Sequence, residues 1–531
     1  MTNTVKKLKC GCEIPIIDGK IHIDYDNLNH DCQKTWDLYK TGHTRSIFQL
    51  ESRLCQNWSK ELDPTGIKDA ADLIAIIRPG VANSEDEFGA SMTKVFCNRK
   101  NEKNLYDKNS IINNLLSDTY GILIYQEQLI SVSKTLAGFD GKQANKLLKG
   151  VGKKDANLLF SLETEFIDGC IKTGILSKEE AIEVFDQIKA SARYLFGKAH
   201  SYEYAMVGYQ TAWVKAHFPE QYICSWLKIS KSEAKPLEEI RAMMSEARRL
   251  KIKVYGPSAR NLPKADFFIN DHCVYFALSS IKDCSQAAFQ KIANTDANFK
   301  TMTWLEFIIN YSHLLSKSQI IPMCRTGCFD DFSLKSRLRC EFEFNQWNIL
   351  TPAQKTKARS FYQKDQDKEL VGVLGKFAEA NPKLEKVKLI IYSLDHPPMD
   401  LSDSKKNMIE HEKELLGINI TCSNIERTSV PSTAKTCKDI NKLRPDKLKQ
   451  HEVVGEISEF QEFKIKNPKS KICGQNMANM KLNDNTEELD VVVFPNALDE
   501  FQSALYEGNT VLVKGKKSDK GGFILEGIYE V

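Results

Sequence analysis

Arg193 to Pro219 read RYLFGKAHSYEYAMVGYQTAWVKAHFP. Tyr202 to Lys215 within this stretch reads as a helix, and it follows another from Glu179 to about Arg193. Working outward, the pattern stays helical from Thr41 to about Ile229. Phe48, Leu50 and Leu54 fall at helical spacings, and Leu73, Ile76 and Ile77 form an apolar face that ends at Arg78-Pro79-Gly80, where proline followed by glycine stops a helix. Tyr120 to Leu136 reads as a further helix with Ser117-Asp118 as its cap. Glu238 to Leu250 is amphipathic and is closed by Gly256-Pro257.

Beyond that break the pattern changes. Phe267 to Asn270 and Cys273 to Leu278 read as a hairpin around Asp271, and short helices follow as far as Phe332. Leu350 to Lys388 is polar, lysine-rich and helical with a surface loop, and Ser423 to Asp446 has the composition of a linker. From His451 to Val531 the apolar residues alternate with period two, as in Val453, Gly455, Ile457 and Val511, Val513, Gly515, which predicts a compact β-domain.

The composition, 42% hydrophobic and 27% charged, is that of ordinary globular protein and excludes fibrous or disordered material. At 531 residues the chain has room for about three or four domains. No run reaches the ~20 apolar residues that span a bilayer, and MTNTVKKLKCGC is not a secretory signal. Fifteen cysteines without a leader imply reduced thiols and a cytoplasmic location. A net charge of +4 does not indicate nucleic acid, so that case rests on local basic clusters. Cys10 and Cys12 and, after a short strand-like stretch from Lys20 to Tyr25, His30 and Cys32 form a candidate zinc set. Cys-x-Cys departs from the usual ligand spacing, and a short hairpin with free thiols is the other reading.

Several segments together resemble one family. SIFQLES at Ser46 to Ser52 resembles its GVFQLES, and LIAIIRPG at Leu73 to Gly80 resembles its ALxRPGP. TYGILIYQEQ at Thr119 to Gln128 is nearly identical to its counterpart, and Gly152-Lys153-Lys154 falls at its MGKKK position. RYLFGKAHSYEYA resembles YGFNKSHSAAYA, and YQTAWVKAHFP resembles YQTLWLKAHYP, in the same order and at similar intervals. The family is the C-family DNA polymerases, typified by the α subunit of bacterial DNA polymerase III, and the match runs from about Asp31 to Val531. Small separate members of this kind are common in bacteriophages.

The resemblance implies an α+β multidomain chain: largely helical polymerase fingers, a helix-hairpin-helix region and a C-terminal OB-fold β-barrel. The expected divisions are a cysteine-containing segment (1–40), fingers (41–232), helix-hairpin-helix region (233–345), helical connector and linker (346–446) and OB-fold domain (447–531). Nucleotidyl transfer needs cations near the triphosphate, where charge builds on the transferring and leaving phosphates. Arg78, Lys149, Lys153, Lys154, Lys198 and His200 are the candidates for dNTP and DNA-phosphate binding. The chain departs from the family at Leu148-Lys149, where paired arginines stand, at Gly197-Lys198-Ala199-His200 in place of Asn-Lys-Ser-His, and at Val81 in place of proline. Phe276 to Ile292 aligns with the family's helix-hairpin-helix, but Asp283-Cys284-Ser285 replaces its Gly-x-Gly turn and Asp283 would repel phosphate. In the barrel, Lys464, Lys466, Lys469 and Lys471 with Phe463 are candidates for single-stranded DNA.

The family's catalytic aspartates, which hold two magnesium ions, lie in a palm domain N-terminal to the fingers. Asp24-Tyr25-Asp26 has the spacing without the context, and Asp365-Gln366-Asp367 is weaker still, so no catalytic residue is assigned here. The expectation is a polymerase portion that binds template–primer DNA and dNTP for template-directed synthesis together with a palm-bearing polypeptide, in a bacterial host cytoplasm if phage-encoded. A non-catalytic DNA-binding accessory protein on the same scaffold is the alternative, and a splicing-joined fragment a third. QDKEL at Gln366 to Leu370 is a poor sliding-clamp motif, and clamp binding is not assigned.

Overall fold

Helices dominate from Gln33 to Leu416 and strands from His451 onward in the computed structural model. The residues described are all but 1–3, 9–10, 18–19, 79–89, 103–109, 152–155, 192–194, 263–264, 366, 422–429, 447–448, 466–471, 485, 503, 506–508, 520–521 and 531. The chain divides into two compact units, Met1–Pro219 and Glu220–Val531. Among the described residues, no helix is long and apolar enough to cross a membrane.

The first unit opens with an antiparallel sheet of β1 (Thr4–Lys7), β2 (Glu13–Ile17) and β3 (Lys20–Ile21). Helices α1 (Gln33–Lys40), α2 (Arg53–Leu62), α3 (Ile67–Ile76), α4 (Met92–Asn101) and α5 (Ile111–Leu115) follow. They are succeeded by α6 (Gln126–Ala137), α7 (Gly141–Val151), α8 (Ala156–Thr173), α9 (Lys178–Ser191) and α10 (Lys198–His217). Two cores hold the unit together. One gathers β2 and α1 to α4 on α10 through residues such as Trp36, Leu73, Phe96, Tyr209 and Trp213; the other joins α6 to α9 through Leu129, Phe166 and Phe185. Helix α3 is buried from Ala70 to Ile76, and that stretch is apolar on every side except at Asp72. Its alanines admit α10 closely, and the Ser201 hydroxyl donates to Ala71 O at 2.6 Å. Gly169 on α8 makes a comparable approach, since a Cβ there would stand 2.4 Å from Ala137 O.

In the second unit α11 (Pro219–Ser230, beginning at the division) and α12 (Pro236–Arg249) precede a small sheet of β4 (Val254–Tyr255), β5 (Phe268–Asn270) and β6 (Cys273–Tyr275), in the order β4-β6-β5. Then come α13 (Gln286–Ala293), α14 (Lys317–Arg325), α15 (Arg337–Ile349), α16 (Pro352–Asp365), α17 (Leu370–Glu379), α18 (Glu385–Asp395) and α19 (Lys405–Leu416). One core runs through all of this from Ile223 to Ile418, so the stretches expected as hairpin region and connector share it. Arg337, 6% exposed, braces it by donating to Asp330, Glu412 and Thr421 at 2.8–2.9 Å.

Helix α20 (Cys437–Lys442) leads into the barrel: β7 (His451–Lys464), β8 (Asn476–Asn483), β9 (Glu488–Val493), α21 (Pro495–Glu500), β10 (Thr510–Lys517) and β11 (Phe523–Glu530). The strand order β10-β11-β9-β8-β7 closes because β10 also pairs with β7. Five strands, a parallel β9–β11 contact and a helix between β9 and β10 make this an OB-like barrel. Val453, Ile457, Val491, Val493, Val511, Val513 and Phe523 fill it, each burial worth ~1.5–3 kcal/mol. Strand β10 bulges at Lys514/Gly515, where a Cβ on Gly515 would stand 2.0 Å from Ile524 O.

Four local expectations are corrected. Phe48 and Leu50 lie in a turn rather than a helix, with Ser46 and Gln49 at φ 62° and 65°. The buried Lys215 ammonium satisfies His43 O and Arg45 O at 2.9 and 2.7 Å, and Thr44 Oγ1 satisfies Leu50 O. The helix expected from Tyr120 begins only at Gln126, because Tyr120 and Gly121 adopt positive φ and the Gln128 side chain accepts from the Ile124 and Tyr125 N–H groups. Of the strand-like stretch Lys20 to Tyr25, only Lys20–Ile21 is strand; Asp24 caps a 3-10 turn. The expected linker contains α20, whose Cys437 and Ile440 are fully buried in the barrel core.

Candidate functional site

Two segments distant in sequence pair at the start of α10. Gln126 N–H donates to Phe196 O, and Phe196 N–H to Ile124 O, each at 2.9 Å. This short parallel bridge fixes Phe196 immediately before the helix. Gly197, the N-cap, has no side chain to offer the helix start, and the Glu127 carboxylate accepts the Lys198 N–H instead at 2.8 Å. A carboxylate there satisfies one of the unpaired donors and complements the positive end of the helix dipole.

Three of the six expected phosphate-binding cations meet here. The Arg78 guanidinium lies 4.1 Å from the Phe196 ring centroid, a cation–π contact. The His200 ring meets Phe196 edge-on at 5.2 Å and Tyr204 at 4.1 Å, and Tyr204 meets Phe48 at 5.1 Å. A line of rings therefore runs along α10 from Arg78 to the turn that carries Phe48. His200 is exposed and the other rings are half-buried, which leaves a surface on which a planar group can stack. The Lys198 ammonium sits 5.9 Å from the Tyr125 ring and 3.8 Å from Asp118. Both charges are exposed, so that ion pair is weak and Lys198 can turn to a stronger anion.

Behind this surface is a buried polar chain. The Tyr125 hydroxyl donates to Asp72 Oδ1, and the Lys68 ammonium meets Asp72 Oδ2, both at 2.7 Å. Burial raises the Asp72 carboxyl above its ordinary range although Lys68 and Tyr125 pull it down. Burial opposes the Lys68 charge, yet Asp72 outweighs it and holds that ammonium above its ordinary value. The two directions differ because Asp72, 1% exposed, is far more desolvated than Lys68. Burial and then the Asp72 charge push the Tyr125 phenol far up, so it remains a donor.

The other expected residues lie elsewhere. Lys149 is exposed on α7, where it lines a groove of about 860 Å³ with Lys142 and Lys146. Lys153 and Lys154 lie outside the described residues. In the barrel Lys464 ends β7 and the neighbouring Phe463 is 40% exposed; Lys466, Lys469 and Lys471 lie outside the described residues. Asp283, exposed at φ 64°, occupies a tight turn between the 3-10 segment Leu278–Ser280 and α13. Asp24 accepts from the Asp26 N–H and the Asn27 amide, bonds that hold its carboxyl below the ordinary range. Asp367 pairs with Lys376 at 3.0 Å, while the Asp365 side chain and Gln366 lie outside the described residues. Leu370 is 1% exposed in the core.

Of the expected zinc set, Cys12 and Cys32 come together, and Cys10 lies outside the described residues. His30 is not in that group; its ring packs edge-on to Tyr209 and its Nε2 is buried without a hydrogen-bond partner. His217, at the far end of α10, takes the place expected for it. Burial, then Lys34, lowers the His217 imidazole to about 4. The separation of 185 residues gave no spacing signal for this. The Phe196, His200 and Tyr204 recurrence, four apart, was readable; the arrival of Phe48 and Arg78 beside it was not.

Tyr125→Phe removes the hydroxyl and leaves Asp72 one bond short in a buried site. A loss of ~1–3 kcal/mol is expected, measured by urea unfolding of the first unit's transition, while an unchanged midpoint would show that Asp72 is satisfied without Tyr125.

Residues 9–174 match the model of the bacterial DNA polymerase III alpha subunit finger domain. The chain is 27% identical over 514 residues to the DNA polymerase III subunit alpha of Bacillus subtilis (strain 168), covering 96% of this chain and 42% of that one. It is 27% identical over 503 residues to the Thermus aquaticus subunit, covering 93% and 38%, and 26% identical over 518 residues to that of Aquifex aeolicus, covering 96% and 40%. The chain thus spans about two fifths of the length of these relatives. A finger-domain match that ends before α10, together with similarity to one group of polymerase subunits along nearly the whole chain, supports a C-family DNA polymerase finger-to-C-terminal region.

Proposed function

We propose that the chain binds template–primer DNA and an incoming dNTP and takes part in template-directed DNA synthesis in the cytoplasm, with a palm-bearing polypeptide. The observation that carries this reading is the placing of Arg78 and His200 on Phe196, and of Lys198 by the bridged Tyr125, at the N-terminus of α10. A helix start with outward cations suits a triphosphate, and the line of rings offers a face for a base. The partner's carboxylates would hold the magnesium ions, whose chemistry is to activate the primer hydroxyl and stabilise the leaving oxygen. The residues of this chain would orient the triphosphate and offset the charge that grows on it in the transition state. The barrel, with Phe463 beside Lys464, would hold the single-stranded template by stacking and phosphate contact.

Primer extension tests the main reading. Synthesis is expected when the chain is combined with a palm-bearing polymerase polypeptide, and Lys198→Ala or His200→Ala should lower dNTP incorporation about 10²-fold. DNA binding without synthesis in every combination would instead favour an accessory role, and full activity in both variants would remove the α10 site from the chemistry. For the barrel, Phe463→Ala should weaken binding of a fluorescent oligothymidine by ~1–3 kcal/mol in an anisotropy titration; unaltered affinity would place the single strand elsewhere.

A further inference from the structure

We propose that Cys12, Cys32 and His217 form a zinc site that clamps the N-terminal hairpin and the start of α1 to the C-terminal end of α10. The two thiol sulfurs and one imidazole nitrogen all lie within 4.8 Å of one another, and Cys32 Sγ stands 3.3 Å from His217 Nε2. In a tetrahedral zinc site the ligand atoms are separated by about 3.5–3.8 Å, as Zn–S and Zn–N bond lengths require. The observed spacing is therefore that of a site needing only small side-chain adjustments. Cys12 and Cys32 are 4% and 2% exposed, so the sulfurs are already withdrawn from water.

The surroundings hold each ligand in place. The Leu8 N–H donates to Cys12 O at 2.8 Å, which holds the Cys12 backbone. Cys32 is the N-cap of α1, on a loop pinned by the Trp36 indole to His30 O at 2.7 Å and by the Tyr209 hydroxyl to Asn29 O at 2.6 Å. His217 packs on Trp213 at 4.5 Å. A cavity of about 180 Å³ lined by Cys12, Trp213 and the exposed His22 and Asp24 leaves room beside Cys12 for a fourth, solvent-derived ligand.

Two soft sulfurs and one imidazole select zinc over magnesium or calcium. Binding replaces two S–H bonds by two S–Zn bonds and releases two protons; the two thiolates then balance the dication, and no net charge is buried. Twenty residues separate the cysteines and a further 185 precede the histidine, so one ion would cross-link three segments of the first unit. This inference is independent of the proposed polymerase role.

Metal analysis of the full chain tests it. Chain produced with zinc in the medium and passed over chelating resin should retain one zinc per molecule. Cys32→Ser and His217→Ala should each retain less than a tenth of that, and Cys97→Ser, a buried thiol outside the group, should retain all of it. Because either variant could misfold, the unmodified chain is also loaded with cobalt. Thiolate-to-cobalt charge transfer together with intense tetrahedral visible bands would support the site. Retention of less than a tenth of a zinc with a hexa-aquo-like cobalt spectrum, recovery of Cys12 and Cys32 as a disulfide, or full zinc content in both ligand variants would overturn it.

Discussion

The packing of α10 on α3 is the constraint from which the site follows. A helix buried along its length against alanines has one admissible rotation, and that rotation decides which residues at its start face outward. Ser201 is turned inward onto Ala71 O, while the adjacent His200 is exposed and Lys198, at the first helical position, is partly exposed. The Glu127 carboxylate on the Lys198 N–H and the Tyr125–Phe196 bridge then fix where the helix begins. On this frame the backbone that carries Lys198 and His200 is fixed during folding.

The same frame explains why a carboxylate is tolerated inside it. Asp72 interrupts the buried, otherwise apolar stretch Ala70 to Ile76 of α3 and is held by Lys68, one turn earlier, and Tyr125. A buried polar chain of this kind is costly unless each member is satisfied, and in return it accepts few alternative arrangements. Tyr125, fixed by Asp72 on one side, presents its ring to Lys198 on the other. Core and surface are therefore connected by a single side chain.

Much of this was legible in the sequence, for identifiable reasons. The period-two run after His451 announced a β-domain because inward residues of a small barrel must alternate, and Val453, Ile457, Val511 and Val513 do. The Arg78 stop, the helix through Tyr202 to Lys215 and the hairpin around Asp271 were readable from local patterns. The turn at Phe48 was not, since it depends on Lys215, some 170 residues away, reaching buried carbonyls. The same limit hid His217 from the cysteine pattern, and it hid α20 inside a stretch whose composition was that of a linker. Local signals fix elements; the partners that satisfy irregular backbone come from elsewhere in the chain.

If the start of α10 faces the nucleotide, photo-labelling reports it directly. An aryl-azide dATP, irradiated with the chain and a template–primer duplex, is expected to form adducts on peptides spanning Phe196 to Tyr204, with unlabelled dATP suppressing them. Adducts confined to the second unit, or labelling that excess dATP leaves untouched, would contradict the assignment of this helix start to the triphosphate.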